Sequence, residues 1–316
     1  MEHEPQSLQE AVIYFADPAN CMKYMVARRW PNGVECPRCG SKKVVFSEKF
    51  KRWQCGSHHE RRQFTLKTGT IFEDSPLGLD KWLPAVWLLC NCKNGMSSWE
   101  LHRAIRVTQK TAWFMLHRVR LALQGNGGNK LFGEVEVDET FVGGKARNMH
   151  KEVRDRKITG TGGKDKAVVM GMLERGGEVR AMVVENRLKS ELQKQIREHV
   201  RVGSALFTDE LKSYEGLEAD YRHAVINHAI EYVNGNIHTN GMENFWGLFK
   251  RGLRGTYVSV EPFHLFRYID EEAFRYNYRN DMTDSDDFRL AMSHIVGKCL
   301  TYAELTGKVG ASESTN

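Results

Sequence analysis

Gly133-Glu-Val-Glu-Val-Asp138-Glu-Thr-Phe-Val142 alternates apolar and polar residues, with Val135, Val137 and Phe141 on one parity. Period two belongs to a strand, one face buried and the other turned away. The segments before it carry the longer period of helices, so the chain changes architecture here. Ala167–Leu173 is a nearly unbroken apolar run, the pattern of a buried strand, and Glu178–Glu185 alternates again. Ser190–Val200 reads as a helix, and Ala205-Leu-Phe-Thr-Asp209-Glu as a short strand ending in an acid. Three strands can pair as an antiparallel meander, and the fourth then returns after a helical crossover beside the first.

Three strands, a helix, a strand and a further helix is the order of a ribonuclease-H-like core. In that arrangement Asp138 lies on the first strand and Asp209 at the end of its neighbour. Glu243 comes from the helix that follows. Carboxylates gathered this way repel one another and persist with a cation between them. Hard oxygen ligands call for Mg²⁺ or Mn²⁺. Two such ions about 3.5–4 Å apart suit the cutting and rejoining of phosphodiesters. Glu136 shares the strand face of Asp138, whereas Glu139 is expected to point away into solvent.

The helix with the third acid lies in His238-Thr-Asn-Gly-Met-Glu-Asn-Phe-Trp-Gly-Leu-Phe-Lys250. Met242, Phe245, Trp246 and Phe249 make an apolar stripe. Glu243, Gly247 and Lys250 form a second stripe, with the side-chain-free Gly between acid and cation. Two readings stand for Glu243: a site residue, or the partner of Asn240 in a capping box that serves only the backbone. Asn240, Asn244 and His238 are auxiliary candidates, and Trp246 is expected in the core.

Toward the N-terminus, residues 1–30 form a helical lead-in interrupted at Pro18. Cys36-Pro-Arg-Cys39 and Cys55-Gly-Ser-His58 lie about sixteen residues apart, the spacing of a zinc ribbon. Cys36, Cys39, Cys55 and His58 are the expected structural Zn²⁺ ligands, with His59 able to replace His58. The ribbon spans 31–72. Three helical patterns follow over 76–124. Lys81–Asn91 is apolar, Ser97-Ser-Trp-Glu100 opens a short helix with a capping signal, and Thr108–Leu123 carries Lys110 and Arg118. A short helix, a turn and a basic helix resemble a helix-turn-helix. The core then spans 131–280. A C-terminal helix follows within 281–316, with a disordered tail from Lys308.

The net charge of +6 is concentrated. Phe141 to Lys166 holds eight Lys/Arg against three Asp/Glu, a local +5 that suggests a polyanion contact. Lys145, Arg147, Lys151, Arg154, Arg156 and Lys157 are its candidate DNA contacts, with Arg251 beside Lys250. No apolar run approaches the roughly 18–20 residues of a membrane span. The polar, acidic start is no secretory signal, so metal binding is favoured over a disulfide framework for the seven cysteines.

From about Tyr24 to about Arg279 the chain resembles transposases of the IS1595 (ISXO2-like) insertion-sequence family. The likeness is carried by Cys36-Pro-Arg-Cys39-Gly, Thr68-Gly-Thr-Ile-Phe72, Val137-Asp-Glu-Thr-Phe-Val-Gly-Gly-Lys145, Thr208-Asp209-Glu, the His238–Trp246 stretch with Lys250-Arg251, and Arg267-Tyr-Ile-Asp-Glu-Glu-Ala-Phe-Arg-Tyr-Asn277. The resemblance implies DDE-type DNA transposition with a divalent metal, Asp138 and Asp209 as the first two acids, and Lys250 as the trailing cation. Family members vary between Glu and Asn at the third position; Glu243, seven residues before Lys250, is the choice here. His58 stands where a fourth Cys is usual.

The expected protein is thus α+β and multidomain: a zinc ribbon, a helix-turn-helix-like segment and a ribonuclease-H-like core. It would bind an element's terminal inverted repeats, cleave and join double-stranded DNA, act as a dimer or higher assembly, and reside with the nucleoid in the cytoplasm. A domesticated non-catalytic DNA-binding protein and a plain metal-dependent nuclease are the competing readings.

Overall fold

The computed structural model describes residues 4–125, 128–144, 151–152, 166–226, 238–280 and 282–308. Lys145, Arg147, Arg154, Arg156, Lys157 and the tail beyond 308 lie outside the described residues. The chain divides into two units, residues 1–124 with 278–316, and residues 125–277. The final segment therefore belongs with the N-terminal elements rather than standing alone.

The first unit begins with α1 (Leu8–Phe15) and α2 (Pro18–Arg29). Pro18, which interrupts the sequence pattern, sits in the first turn of α2 behind the Asp17 cap, where a missing N–H costs nothing. The ribbon follows as three antiparallel strands, β1 (Val44–Ser47), β2 (Arg52–Cys55) and β3 (Gln63–Phe64). Its small core is aromatic: Trp53 stacks on Phe64 at 5.8 Å, and Trp30 meets both rings edge-on. Then come α3 (Leu79–Asn91), α4 (Ser98–Ile105) and α5 (Gln109–Leu123). The capping box of Ser97 and Glu100 forms as its sequence predicts. The C-terminal α9 (Asp284–Ser293) returns here, with Phe288 packed among Phe15, Tyr24 and Trp87. Gly69 and Ile71 of the Thr68–Phe72 motif exchange backbone hydrogen bonds with Gly297 and Ile295, and the Ile71 and Phe72 side chains are fully buried. That motif is thus a seam of the first unit.

The second unit is one mixed sheet covered on both faces. Its strands are β4 (Glu134–Val142), β5 (Ala167–Glu174), β6 (Val179–Val184), β7 (Ala205–Asp209) and β8 (Arg222–Ile226). Their order is β6-β5-β4-β7-β8. The first three pair antiparallel; β7 and β8 run parallel to β4. The fifth strand, β8, escaped the sequence reading because it offers no clean alternation: only Ile226 is buried. α6 (Lys189–His199) makes the crossover and packs Leu192 and Ile196 on Val135, Val137, Met170 and Leu206. α7 (Asn240–Gly252) and α8 (Leu265–Tyr278) cover the opposite face, their Phe245, Trp246, Ile269 and Tyr276 closing over Val169 and Leu173. No helix among the described residues is long and apolar enough to cross a membrane.

Candidate functional site

The register between β4 and β7 positions the first two acids. Glu134, Val135 and Glu136 pair with Ala205, Leu206 and Phe207. The pairing ends there, two residues before Asp138 and Asp209. Alternation along both strands keeps the two acids on the face of Glu136 and Phe207, and Asp209 lies near enough to act on the Asp138 carboxyl. Asp138 is oriented by two donors: the Glu139 N–H at 2.8 Å and the Trp246 indole N–H at 3.0 Å. Asp209 accepts from the Leu211 N–H at 3.0 Å, a turn that closes the strand end. Trp246 can reach Asp138 because the residue paired beside it on β5 is Gly171. A Cβ there would lie 2.7 Å from the Trp246 ring and 2.2 Å from the Met242 methyl.

α7 supplies the third acid and the cation. Met242, Phe245, Trp246 and Phe249 are buried, Glu243 and Gly247 are exposed, and Lys250 is half-buried. The two stripes read from the sequence are therefore the inner and outer faces. The capping-box reading of Glu243 is overturned. Thr239, not Asn240, precedes the first turn, and it makes no side-chain cap. The cap comes from the sheet: the carboxylate of Glu136, 1% exposed, accepts from the Met242 N–H at 3.0 Å and from Arg175 at 2.9 Å. His238 joins this network, with Nδ1 3.2 Å from Glu136 and its carbonyl accepting from Arg175 at 2.7 Å. Gly241 allows the approach, since a Cβ there would fall 2.8 Å from a Glu136 oxygen.

The electrostatics are those of crowded acids. Burial first, and then the neighbouring Asp209, push the Asp138 carboxyl up to about 6, with a smaller upward push from Glu243. Glu139, expected in solvent, is pushed up to about 8 by burial, Asp209 and Asp138. One of its oxygens is buried with no hydrogen-bond partner. The reason is that its face of β4 is covered by α6 and its neighbours. Lys250 is drawn downward by burial; Asp138 opposes that shift, while Arg254 and Lys166 add to it. Among the described residues, none of Asp138, Asp209 and Glu243 has a cation within ion-pair distance. Carboxylate oxygens are the donor type of a hard divalent ion, but the three acids do not bring their oxygens within 4.8 Å of one another.

The described residues contain one tight set of metal-ligating atoms, and it lies in the ribbon. Cys36, Cys39, Cys55 and His59 bring their sulfur and nitrogen atoms within 4.8 Å of one another. Cys39 and Cys55 sulfurs are 3.6 Å apart, and Cys36 sulfur lies 3.5 Å from His59 Nε2. A Zn–S bond of about 2.3 Å implies tetrahedral edges of about 3.8 Å, so the set fits Zn²⁺. His59 donates from Nδ1 to the Glu60 carbonyl at 2.6 Å, which leaves Nε2 as the ligand atom. This corrects the fourth ligand from His58 to His59. The bend at Gly56 and Ser57 uses one more residue before the chain turns back on the thiols, and His58 is left exposed. Burial alone would raise the Cys55 thiol, but hydrogen bonds from His59, the Ser57 backbone and the other two thiols bring it to about 6.

Comparison with known proteins finds two matching domains. Residues 130–277 match the ISXO2-like transposase domain, and residues 17–59 match a transposase zinc-ribbon domain. A Halobacterium salinarum protein described as an uncharacterized protein in transposable element ISH50 is 31% identical over 238 residues, 71% of this chain and 79% of that protein. The chain belongs to the ISXO2-like transposase family. A transposase-like protein of Haemophilus influenzae is 32% identical over 101 residues, 32% of this chain and 81% of that protein. One chain of a solved complex, the simian T-cell lymphotropic virus intasome with PP2A regulatory subunit B56 gamma, overlaps 66% of this chain and 74% of its own length. Its TM-score of 0.30 and 13% identity carry no argument.

In this family member the remaining expected contacts separate by burial. Arg118, expected on a DNA-reading face, is 4% exposed and donates to the Leu300 and Glu73 carbonyls. The correction has a plain cause: beyond its first turn α5 is a core helix, buried from Met115 to Arg120. Lys110 stays exposed in that first turn, its ammonium 4.7 Å from the Tyr302 ring centre. Lys151, Arg251, Asn240 and Asn244 are exposed. The sequence reading missed the roles of Trp246, Glu136, Arg175 and Gly171. An indole N–H on a helix stripe one turn from an acid was the available signal, because a buried indole finds an acceptor.

Proposed function

We propose that this chain is a DNA transposase that binds the ends of its element, cleaves phosphodiesters there and joins the freed end to target DNA. The observation that supports the reading is the convergence on Asp138: Trp246 of the helix bearing Glu243 and Lys250 bonds to it, and Asp209 and Glu243 both act on its carboxyl. The strand order, antiparallel on one side of β4 and parallel on the other, supports a ribonuclease-H-like core, the scaffold expected for this chemistry. Asp138, Asp209 and Glu243 would hold Mg²⁺ or Mn²⁺; such an ion would supply activation of an attacking oxygen and stabilisation of the leaving one. Trp246 and the Glu139 N–H keep Asp138 aimed, and Lys250 holds a phosphate beside the acids. The ribbon and the first turn of α5, with Lys110, take up duplex DNA through phosphates. Arg251 and the basic 145–166 segment add to that grip. Joining two ends calls for a dimer or larger assembly.

The test is cleavage of a labelled element-end duplex with Mg²⁺ by the parent, Asp138→Asn, Glu243→Gln and Glu243→Ala. Cleavage and strand transfer by the parent, lost in all three variants while DNA binding persists, is the expected result. Full activity in both Glu243 variants would move the third position to Asn240 or Asn244. Binding without any cleavage by the parent would leave a DNA-binding protein.

A further inference from the structure

Beside the three acids, α7 runs on into a π-helical turn, Leu253–Tyr257. The chain then reverses at Val258, whose φ is +61°, and the Ser259 N–H returns to the Tyr257 carbonyl at 2.6 Å. This is a γ-turn of the rare, strained kind, built on a β-branched residue that is 79% exposed. Both sides of the turn are held. The Tyr257 hydroxyl bonds to Glu271, a fully buried acid that Arg275 pairs, and Val260 packs against the α7–α8 core. The strained loop thereby becomes a fixed wall.

That wall closes a cavity of about 190 Å³ with the end of β4: Gly143 and Gly144 on one side, Lys250, Arg254 and Ser259 on the other. Lys166 lies against Gly143, where a Cβ would come within 2.8 Å of its side chain. Lys166 and Arg254 also both act on Lys250. Two cations line the cavity and a third, Lys166, stands behind Gly143; among the described residues none of the three is ion-paired. Crowded, unpaired cations around a cavity rimmed by exposed backbone and a hydroxyl call for an anion with several acceptor oxygens.

We propose that this cavity is a subsite for one DNA backbone phosphodiester, gripped by Arg254, Lys250 and Ser259 over the Gly143–Gly144 edge. It rests on the transposase reading for its choice of DNA as the source of the phosphate. Lys250 is the shared wall with the acidic site, so the phosphate held is one next to the bond attacked. Arg254 brings a planar fork matched to two phosphate oxygens, and Lys250 a point charge.

The experiment measures binding by the full-length protein in metal-free buffer. The probes are a labelled element-end duplex and a series in which single phosphates are replaced by neutral methylphosphonates. Arg254→Gln, on an exposed side chain, is expected to weaken binding about tenfold. It should also flatten the dependence of log K on log salt by about one phosphate. At one linkage near the cleavage position, the methylphosphonate should weaken the parent and cost Arg254→Gln nothing more. Ser259→Ala should pair with the same linkage more weakly. If every methylphosphonate costs Arg254→Gln as much as it costs the parent, the subsite is overturned. Should the pairing persist while the parent never cuts DNA with Mg²⁺, the subsite stands and the enzymatic reading fails.

Discussion

Gly171→Ala tests how the sheet and α7 together aim the first acid. The new Cβ would lie 2.2 Å from the Met242 methyl, which can swing aside, and 2.7 Å from a Trp246 ring carbon, which cannot. Ordinary contact begins near 3.4 Å, so the ring must retreat by about 0.7 Å. Along the line from Trp246 Nε1 to Asp138 that retreat turns 3.0 Å into about 3.7 Å, past hydrogen-bonding reach. Overpacking costs about 1–3 kcal/mol, and a lost hydrogen bond to a charged group about 1.5–3 kcal/mol. With partial relaxation the sum is about 2–4 kcal/mol. For a unit of this size that lowers Tm by roughly 5–15 °C. Misplacing a reacting group by an ångström costs on the order of 100-fold in rate. Thermal unfolding of the full chain and single-turnover cleavage of an element-end duplex read the two effects. Adding Met242→Ala should not rescue either, whereas adding Trp246→Leu should recover stability without activity. A Gly171→Ala protein with the parent's Tm and cleavage rate would refute the assignment of Gly171 and Trp246.

In the ribbon, His59→Ala should lose the bound zinc in a metal-release assay, whereas His58→Ala should retain it; the reverse pattern would restore His58 as the ligand. Glu136→Ala strands Arg175 and the Met242 N–H in the interior and should cost about 3–5 kcal/mol in urea unfolding, with Glu136→Gln milder. The acids also set a pH dependence. Glu139 and Asp138 have folded-state values raised to about 8 and about 6 from 4.5 and 3.8, so the folded chain binds more protons than the unfolded one in that interval. Metal-free stability should therefore be highest near pH 4–5 and fall as pH rises toward 8. Glu139→Gln should flatten the upper part of that fall, and excess Mg²⁺ should offset it in the parent but not in Asp138→Asn. Equal slopes in parent and Glu139→Gln, measured as Tm in chelator, would contradict the burial of that acid.

Local pattern carried much of this. The period-two stretches, the apolar run of β5 and the helical stripe of α7 could all be read directly. Each depends only on which side of its own backbone a residue projects. Three zinc ligands were legible: Cys36 and Cys39 because a Cys-x-x-Cys knuckle is a local turn, and Cys55 because its spacing from that knuckle is that of a ribbon hairpin. The fourth was not, since the path after Cys55 decides whether position 58 or 59 turns inward.

Burial of polar groups was the weakest part of the sequence reading. Arg118 looked like a DNA contact until Leu300, 182 positions away, supplied its acceptor. Glu139 looked solvated until α6 closed over its face. Likewise β8 showed no alternation, because its burial comes from neighbours rather than from its own pattern.

By itself the sequence determined the type and order of most elements, the three thiol ligands, and the two faces of α7. The tertiary structure alone decided what each polar group does on those faces. Glu136 reaches the N-terminus of α7 across 106 positions, which takes the capping role from Glu243. Trp246 reaches Asp138 across 108, which turns a core residue into the donor that aims an acid. Periodicity is a property of one segment, whereas a hydrogen bond or a raised carboxyl pKa is a property of two or more segments brought together. No local pattern encodes it.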